Sequence, residues 1–307
     1  MPKVLVATVK PFAPEAVNQI REIIEKAGYE FGLLEKYGSQ EELVNAVADT
    51  DALIIRSDQV DADVIAAAAE LKIVVRAGAG YDNIDLEAAS AKDVVAMNTP
   101  GQNSNAVAEL ALGMMVYMAR NQLNGTSGTE LNGKTLGIHA YGYVGKLVAK
   151  IASGFGMVVY AFDPYIPREV IENDGVTCLD SAKALYETCQ YISLHIPATA
   201  ETRESINLDL LSAMPLGAVL VNTARKEVVH EASLEKVFEG RPDFRYVSDI
   251  APDNAARLKD KYPDRCFFTP KKMGAQTAEA NINAGVAAAK QIVAFLEEGD
   301  RTFQVNK

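Results

Sequence analysis

The chain has 307 residues, 49% of them hydrophobic, a formal charge of −11 and a pI near 4.9. That length suits two globular units better than one core. The acidic balance opposes a nucleic-acid partner, whose phosphates are held by clustered Lys and Arg. The longest apolar stretch, AVAELALGMMVYMAR, carries Glu109 and ends at Arg120, so it suits a buried helix better than a bilayer span. No membrane partner is expected. Cys178, Cys189 and Cys266 are far apart, and His139, His195 and His230 are as scattered, so reduced thiols and no metal site are expected.

The first segment, MPKVLVATVKPF, alternates as a strand does and lacks the apolar core and cleavage site of a signal peptide, which makes a cytoplasmic location the default. Thereafter β-branched runs alternate with amphipathic stretches: KVLVATV with PEAVNQIREIIEKAG, ALIIRS with ADVIAAAAE, KIVVRAGAG with LEAASAKD, then VVAMNTP. After the helix NAVAELALGMMVYMARN comes a second series, TLGIHA, MVVYAF, YISLHIP, AVLVNTA, FRYVSDI and CFFTP. The alternation predicts an α/β fold of two doubly wound parallel sheets. A last helix is predicted from about Ala278 to Glu298, with Ile282, Val286, Ala289, Val293 and Leu296 on one face and Gly299 as its stop. Such a helix after a completed sheet can return to the first unit. The expected division is residues 1–97 with 282–307, and residues 98–281.

LGIHAYGYVGKLVAKIASGFG orders a strand, a tight turn and a helix, with Ala140, Gly142 and Gly145 at the positions of GxGxxG. Small residues there let the backbone approach a pyrophosphate, and the helix start offers N–H groups to its charge. The next strand, MVVYAFDPY, ends in Asp163 at the offset where an acid meets a ribose 2′-hydroxyl. An acid there repels a 2′-phosphate, so the expected cofactor is NAD rather than NADP.

Open α/β sheets bind ligands beyond the carboxyl ends of their strands. Those ends read Arg56 and Ser57; Arg76 to Asn83; Asn98 to Asn103; His195; Arg225; Asp249; and Lys271 with Lys272. Through RAGAGYDNID, NTPGQNS, ELNGKTLGIHAYGYVG, LHIPATAET, LVNTAR and GAQTAEA the chain resembles the D-2-hydroxyacid dehydrogenases over nearly its whole length. Within that family it is most similar to a lysine-bearing subgroup of short-form phosphoglycerate dehydrogenases. The resemblance implies a discontinuous flavodoxin-like substrate domain, a central Rossmann domain, a homodimer formed largely through the latter, and no C-terminal serine-sensing domains. It implies oxidation of 3-phosphoglycerate, a small phosphorylated 2-hydroxy acid, to 3-phosphohydroxypyruvate at the start of serine synthesis. By the same likeness Arg225 holds the substrate carboxylate, and Arg56, Ser57, Arg76 and Asn103 gather the phosphate, with the backbone of Ala77 and Gly78 at the carboxylate end. Tyr143, Val144, His195, Thr223, Ala224, Asp249 and Gly274 fall where the family contacts NAD.

Three departures bear on the chemistry. The family's TPHIG carries a proton-transfer histidine, whereas this chain has TPKKMG, one residue longer. Counting from TP puts Lys271 at the histidine position, and counting from GAQT puts Lys272 there. The family's glutamate beyond the aspartate is replaced by Asn254, with Asp253 beside it, and ARKEV brings in Glu227 where glycines are usual. A neutral lysine can accept the proton that leaves a secondary alcohol, and Arg225, partial burial and the helix start at Thr277 are expected to disfavour its ammonium form. A lysine needs no carboxylate to set a tautomer. Two other readings compete: a dehydrogenase or reductase for another small 2-hydroxy or 2-oxo acid, and a nucleotide-sensing binding protein that lacks the histidine and glutamate.

Overall fold

The computed structural model describes residues 1–306, which divide into two compact units, 1–103 with 276–306, and 104–275. Both crossings fall a few residues inside the 97/98 and 281/282 cuts expected from the sequence. In the first unit the strands are β1 (Lys3–Thr8), β2 (Glu30–Glu35), β3 (Ala52–Ile55), β4 (Ile73–Arg76) and β5 (Val95–Asn98). Helices α1 (Pro14–Lys26), α2 (Gln40–Ala46), α3 (Ala62–Ala67) and α4 (Leu86–Ala91) connect them. All pairings are parallel in the order β2-β1-β3-β4-β5, the flavodoxin-like winding. Successive side chains point to opposite faces, so one strand serves two cores. Val4, Val6, Ile54 and Val75 pack with Ile20 and Ile24 of α1, while Leu5, Leu53, Ile55 and Val74 pack with Leu43, Val64 and Ala89 of α2 to α4.

The second unit begins with α5 (Ser104–Ala119) and continues β6 (Thr135–His139), α6 (Tyr143–Gly154), β7 (Val158–Phe162), α7 (Arg168–Asn173) and β8 (Thr177–Cys178). There follow α8 (Ala182–Thr188), β9 (Tyr191–Leu194), α9 (Leu208–Ala213), β10 (Val219–Asn222) and α10 (Glu231–Gly240). The last strands are β11 (Arg245–Ser248) and β12 (Cys266–Phe268), joined by α11 (Ala255–Lys261). The seven strands are parallel in the order β12-β11-β10-β9-β6-β7-β8, a Rossmann winding whose order reverses beside β6. Helices α5 and α6 cover one face, and α8 to α10 the other.

Helix α12 (Ala278–Glu298) returns to the first unit, capped by the Thr277 side chain at its start and by Gly299, at φ +70°, at its end. Its buried face differs from the expected one. Ala280, Ala284, Gly285, Ala288, Ala289 and Ile292 are buried, whereas Ile282, Val286, Val293 and Leu296 are only half-buried. Close approach selects small residues here: a Cβ on Gly285 would lie 2.8 Å from Ile20 and 3.1 Å from Phe12.

The tail beyond α12 closes the sheet edge with a side chain. Buried Asn306 accepts the N–H of Ala96 (2.8 Å) and donates to the carbonyl of Val94 (2.9 Å) and to Ser90 Oγ (3.0 Å). Replacing it with Ala strands a buried N–H and a buried carbonyl, so Asn306→Ala is expected to cost about 2 kcal/mol in urea unfolding. A change below about 0.5 kcal/mol would show that water replaces the amide.

Candidate active site

At the β6 to α6 turn the chain carries an alanine in a glycine's conformation. Ala140 sits at φ +78°, and its N–H donates to Phe162 O at 3.0 Å. The left-handed region costs a residue with a Cβ about 1–2 kcal/mol, which the turn demands because it brings α6 back against its own strand. A Cβ on Gly145 would lie 2.4 Å from Ala140 O, so this position admits glycine alone without a shift. Ala140→Gly is expected to raise stability by about 1 kcal/mol, measured by urea unfolding; a loss instead would mean that the alanine methyl packs usefully.

Asp163, half-buried after β7, ties this turn down. Its Oδ2 accepts the N–H of Tyr141 and its Oδ1 that of Tyr165, both at 2.8 Å. Each carboxylate oxygen has two lone pairs, so both can still accept a hydroxyl. Gly142 caps α6 without any side-chain acceptor, Tyr143 is exposed and Val144 half-buried. Across the sheet, Thr223 is buried and its Oγ1 has no hydrogen-bond partner. A glycine cradle before a helix, an acid at the second strand end and an orphaned hydroxyl all suit a dinucleotide. Half-buried His195 pairs its Nε2 with Ser193 Oγ at 3.0 Å, and burial, aided by neighbouring His139, pushes its pKa down to about 3. It is a neutral ring at physiological pH.

The second cluster forms where β10, β11 and β12 end. Asn222, fully buried, folds the VNTAR turn: its Oδ1 accepts the N–H of Ala224 and its Nδ2 donates to Arg225 O, both at 2.9 Å. The turn presents Ala224 O, and two cations meet there. Arg225 Nη1 donates to it at 2.9 Å and Lys272 Nζ at 3.3 Å. Lys271 engages the same loop through its backbone, its carbonyl accepting the Thr269 hydroxyl at 2.8 Å; both lysines are exposed, so the partial burial expected from the sequence is not found at either. Asp249, 1% exposed, accepts the N–H groups of Met273 (2.7 Å) and Gly274 (2.8 Å).

Neither Asp253 nor Asn254 turns toward this cluster. Asp253 pairs with Lys226 at 2.5 Å, and the Asn254 amide donates to Glu235 at 2.7 Å. Glu227 keeps a buried Oε2 without a hydrogen-bond partner. Among the described residues no group of three or more His, Cys, Asp or Glu could hold a metal ion.

The arginines of the first unit form their own group. Arg76 Nε donates to Arg56 O at 3.0 Å, and its guanidinium crosses Gly78, where a Cβ would sit 1.5 Å from Nη1. Arg56 Nη1 holds the carbonyls of Lys10 and Pro11, each at 2.9 Å, its Nη2 reaches Asn281, and its face lies over Phe12. Ser57 is exposed, and Ala77 N–H continues the sheet ladder to Ile55 O at 2.8 Å. Asn103 is half-buried at the end of this unit. The shaping residues Asn222 and Thr269 escaped the sequence reading. A polar residue inside an otherwise apolar strand end, as in VNT, is the signal that could have marked the first.

The family model for the D-isomer specific 2-hydroxyacid dehydrogenase catalytic domain matches residues 5–306. The D-3-phosphoglycerate dehydrogenase of Methanocaldococcus jannaschii is 36% identical over 269 residues, 83% of this chain and 51% of that one. The hydroxypyruvate reductase of Thermotoga maritima is 37% identical over 272 residues, 82% of this chain and 87% of that one. This chain spans about half the length of the curated phosphoglycerate dehydrogenases it matches. Among solved structures, an NAD+-bound 3-phosphoglycerate dehydrogenase of Entamoeba histolytica is similar with a TM-score of 0.87 and 46% identity, covering 100% of this chain and 99% of that one. With the winding of both sheets and a match from end to end, the chain belongs to the D-isomer specific 2-hydroxyacid dehydrogenase family.

Proposed function

We propose that the protein is an NAD-dependent dehydrogenase that oxidises 3-phosphoglycerate to 3-phosphohydroxypyruvate, with Arg225 holding the substrate carboxylate and Lys272 taking the hydroxyl proton. The observation that carries this reading is the meeting of Arg225 and Lys272 on one backbone carbonyl, that of Ala224, at 2.9 and 3.3 Å. A planar two-pronged donor suits a carboxylate, and an amine beside it can exchange a proton with an adjacent hydroxyl. NAD, when bound, supplies the acceptor for the hydride. On the protein side, Asp163 accepts the ribose hydroxyls, the Gly142 to Gly145 turn receives the pyrophosphate, and Tyr143, Val144, His195, Thr223, Ala224, Asp249 and Gly274 line the remainder. Arg56, Ser57, Arg76 and Asn103 recognise the phosphate, with the backbone of Ala77 and Gly78 beside them. A homodimer and a cytoplasmic location belong to the same reading; no helix among the described residues is long and apolar enough to cross a membrane.

A second reading, turnover of an unphosphorylated 2-oxo acid, is favoured by the engagement of Arg56 with Lys10 O, Pro11 O and Asn281, and by the likeness to a hydroxypyruvate reductase. The deciding experiment follows NADH formation by purified protein at alkaline pH with 3-phosphoglycerate, glycerate and lactate, and NADH consumption with hydroxypyruvate. Preference for 3-phosphoglycerate supports the phosphate reading, and preference for glycerate and hydroxypyruvate supports the second. Absence of turnover with NAD still bound would leave a nucleotide sensor.

A further inference from the structure

The loop from Thr269 to Gly274 is one residue longer than the family pattern, so the chain could present either lysine. What decides is the neighbour that grips the loop. Asp249 follows β11, its N–H continues the ladder to Asn222 O at 2.9 Å, and its carboxylate is buried against the loop. Oδ1 accepts the N–H of Met273 at 2.7 Å and Oδ2 that of Gly274 at 2.8 Å, so the two amides that follow Lys272 are both bound by one carboxylate. Thr269 closes the grip from the other end. Its Oγ1 lies 2.8 Å from Asp249 O, 3.2 Å from Oδ1 and 2.8 Å from Lys271 O, so its single proton is shared among three acceptors, two of them on Asp249, which draws the start of the loop toward the residue that binds its end. A Cβ on Gly274 would lie 3.0 Å from Oδ2, which keeps this approach close.

We infer that Asp249 is a positioning residue for Lys272: by binding the amides of Met273 and Gly274 it sets the register of the lysine loop from its C-terminal side, and so selects which lysine meets Arg225. The role rests on the dehydrogenase reading above and goes beyond a cofactor contact. It also accounts for the placement of Lys271. With residues 273 and 274 anchored, the extra residue is taken up on the N-terminal side, and Lys271 is left to engage Thr269 through its carbonyl alone. The two N–H donors explain why the anchor is a carboxylate. An asparagine in its place can offer one oxygen, and its amide then faces an N–H, a repulsive contact.

The test is a double-mutant cycle, with wild type, Asp249→Asn, Lys272→Ala and the double variant assayed for kcat and for NAD affinity by binding titration. Asp249→Asn is expected to lower kcat by about 10- to 100-fold, well beyond any weakening of NAD binding, and to lower kcat by less than about 3-fold in the Lys272→Ala background. Losses that multiply across the two variants, or a loss of NAD affinity matching the loss of kcat, would overturn the positioning role and return Asp249 to cofactor binding. Thr269→Val and Thr269→Ser provide the same test with less disturbance, and decide it alone if Asp249→Asn does not fold. Valine is expected to lose about 5-fold in kcat only when Lys272 is present, and serine, which keeps the hydroxyl, to restore it. An inactive wild-type enzyme would remove the dehydrogenase reading itself, whereas an active wild type with multiplicative losses removes only this inference.

Discussion

Lys272→Ala is expected to lower kcat by about 1,000-fold, within the range general-base removal usually costs, whereas Lys271→Ala stays within about 3-fold of wild type. The asymmetry follows from geometry. Lys272 Nζ donates to Ala224 O at 3.3 Å, the carbonyl that Arg225 also uses, so its nitrogen stands beside the group proposed to hold the substrate. Both lysines are exposed, but Lys271 joins the loop only through its carbonyl, whereas the Lys272 amine is the one that reaches Ala224 O. A lysine that merely adds positive charge near the substrate would raise KM and spare kcat when removed; a proton acceptor gives the opposite split. Partial recovery of the Lys272→Ala rate by a small primary amine in the buffer would identify the missing group as the amine. Equal, mild losses in both variants would mean that neither lysine handles the proton.

The pair also shows where the sequence stops speaking. Periodicity and strand-end residues are enough to place Arg225, Asp163 and the Ala140 to Gly145 turn, because each is tied to a local pattern of a few residues. Which lysine reaches the Ala224 carbonyl beside Arg225 depends on Asp249, more than twenty positions earlier in the chain. No pattern within TPKKMG could report it. Two of the four edge strands escape the sequence for a related reason: β2 has no fully buried residue and β8 is two residues long, so neither shows the apolar alternation that marks the interior strands. In α12 the large apolar residues suggested one face, but close packing buried the alanines and Gly285. Asn306 is the extreme case, binding Ala96 from 210 positions away. The alanine in AxGxxG reads as a departure from the pattern, yet the backbone keeps the left-handed turn and carries the cost.

Acidification from pH 6.5 to 4 is expected to cost the second unit about 3 kcal/mol of stability through His139 alone, and replacing His139 with Asn should remove that dependence. His139 ends β6 beneath the Ala140 turn, 8% exposed, with Phe162 and Tyr186 rings each 5.9 Å away and Tyr186 Oη 3.4 Å from Nδ1. Burial pushes its pKa down to about 4, and the nearby charge of Asp163 opposes that only in part. The sign follows from where the protons sit. The unfolded chain protonates this ring near pH 6.5 and the folded chain only near pH 4, so between those values unfolding takes up a proton and acid favours it. The stability is complete above pH 6.5 and is lost as pH falls through the window. His195, pushed down to about 3, acts in the same direction, but the residue is only half-buried, so its share is smaller than that shift alone suggests. Asp243, held below the usual carboxylate range by its hydrogen bond from Arg241, adds a loss of the same sign, but one that begins only as pH approaches the unfolded carboxylate range of about 4, so the upper part of the window belongs to the histidines. Urea unfolding without cofactor at several pH values between 7 and 4.5 makes the comparison, and the slope decides it whatever the absolute stability of the variant. Parallel slopes for wild type and His139→Asn would mean that the ring gains a proton in the folded state and that the floor beneath the dinucleotide turn is wetter than its burial indicates.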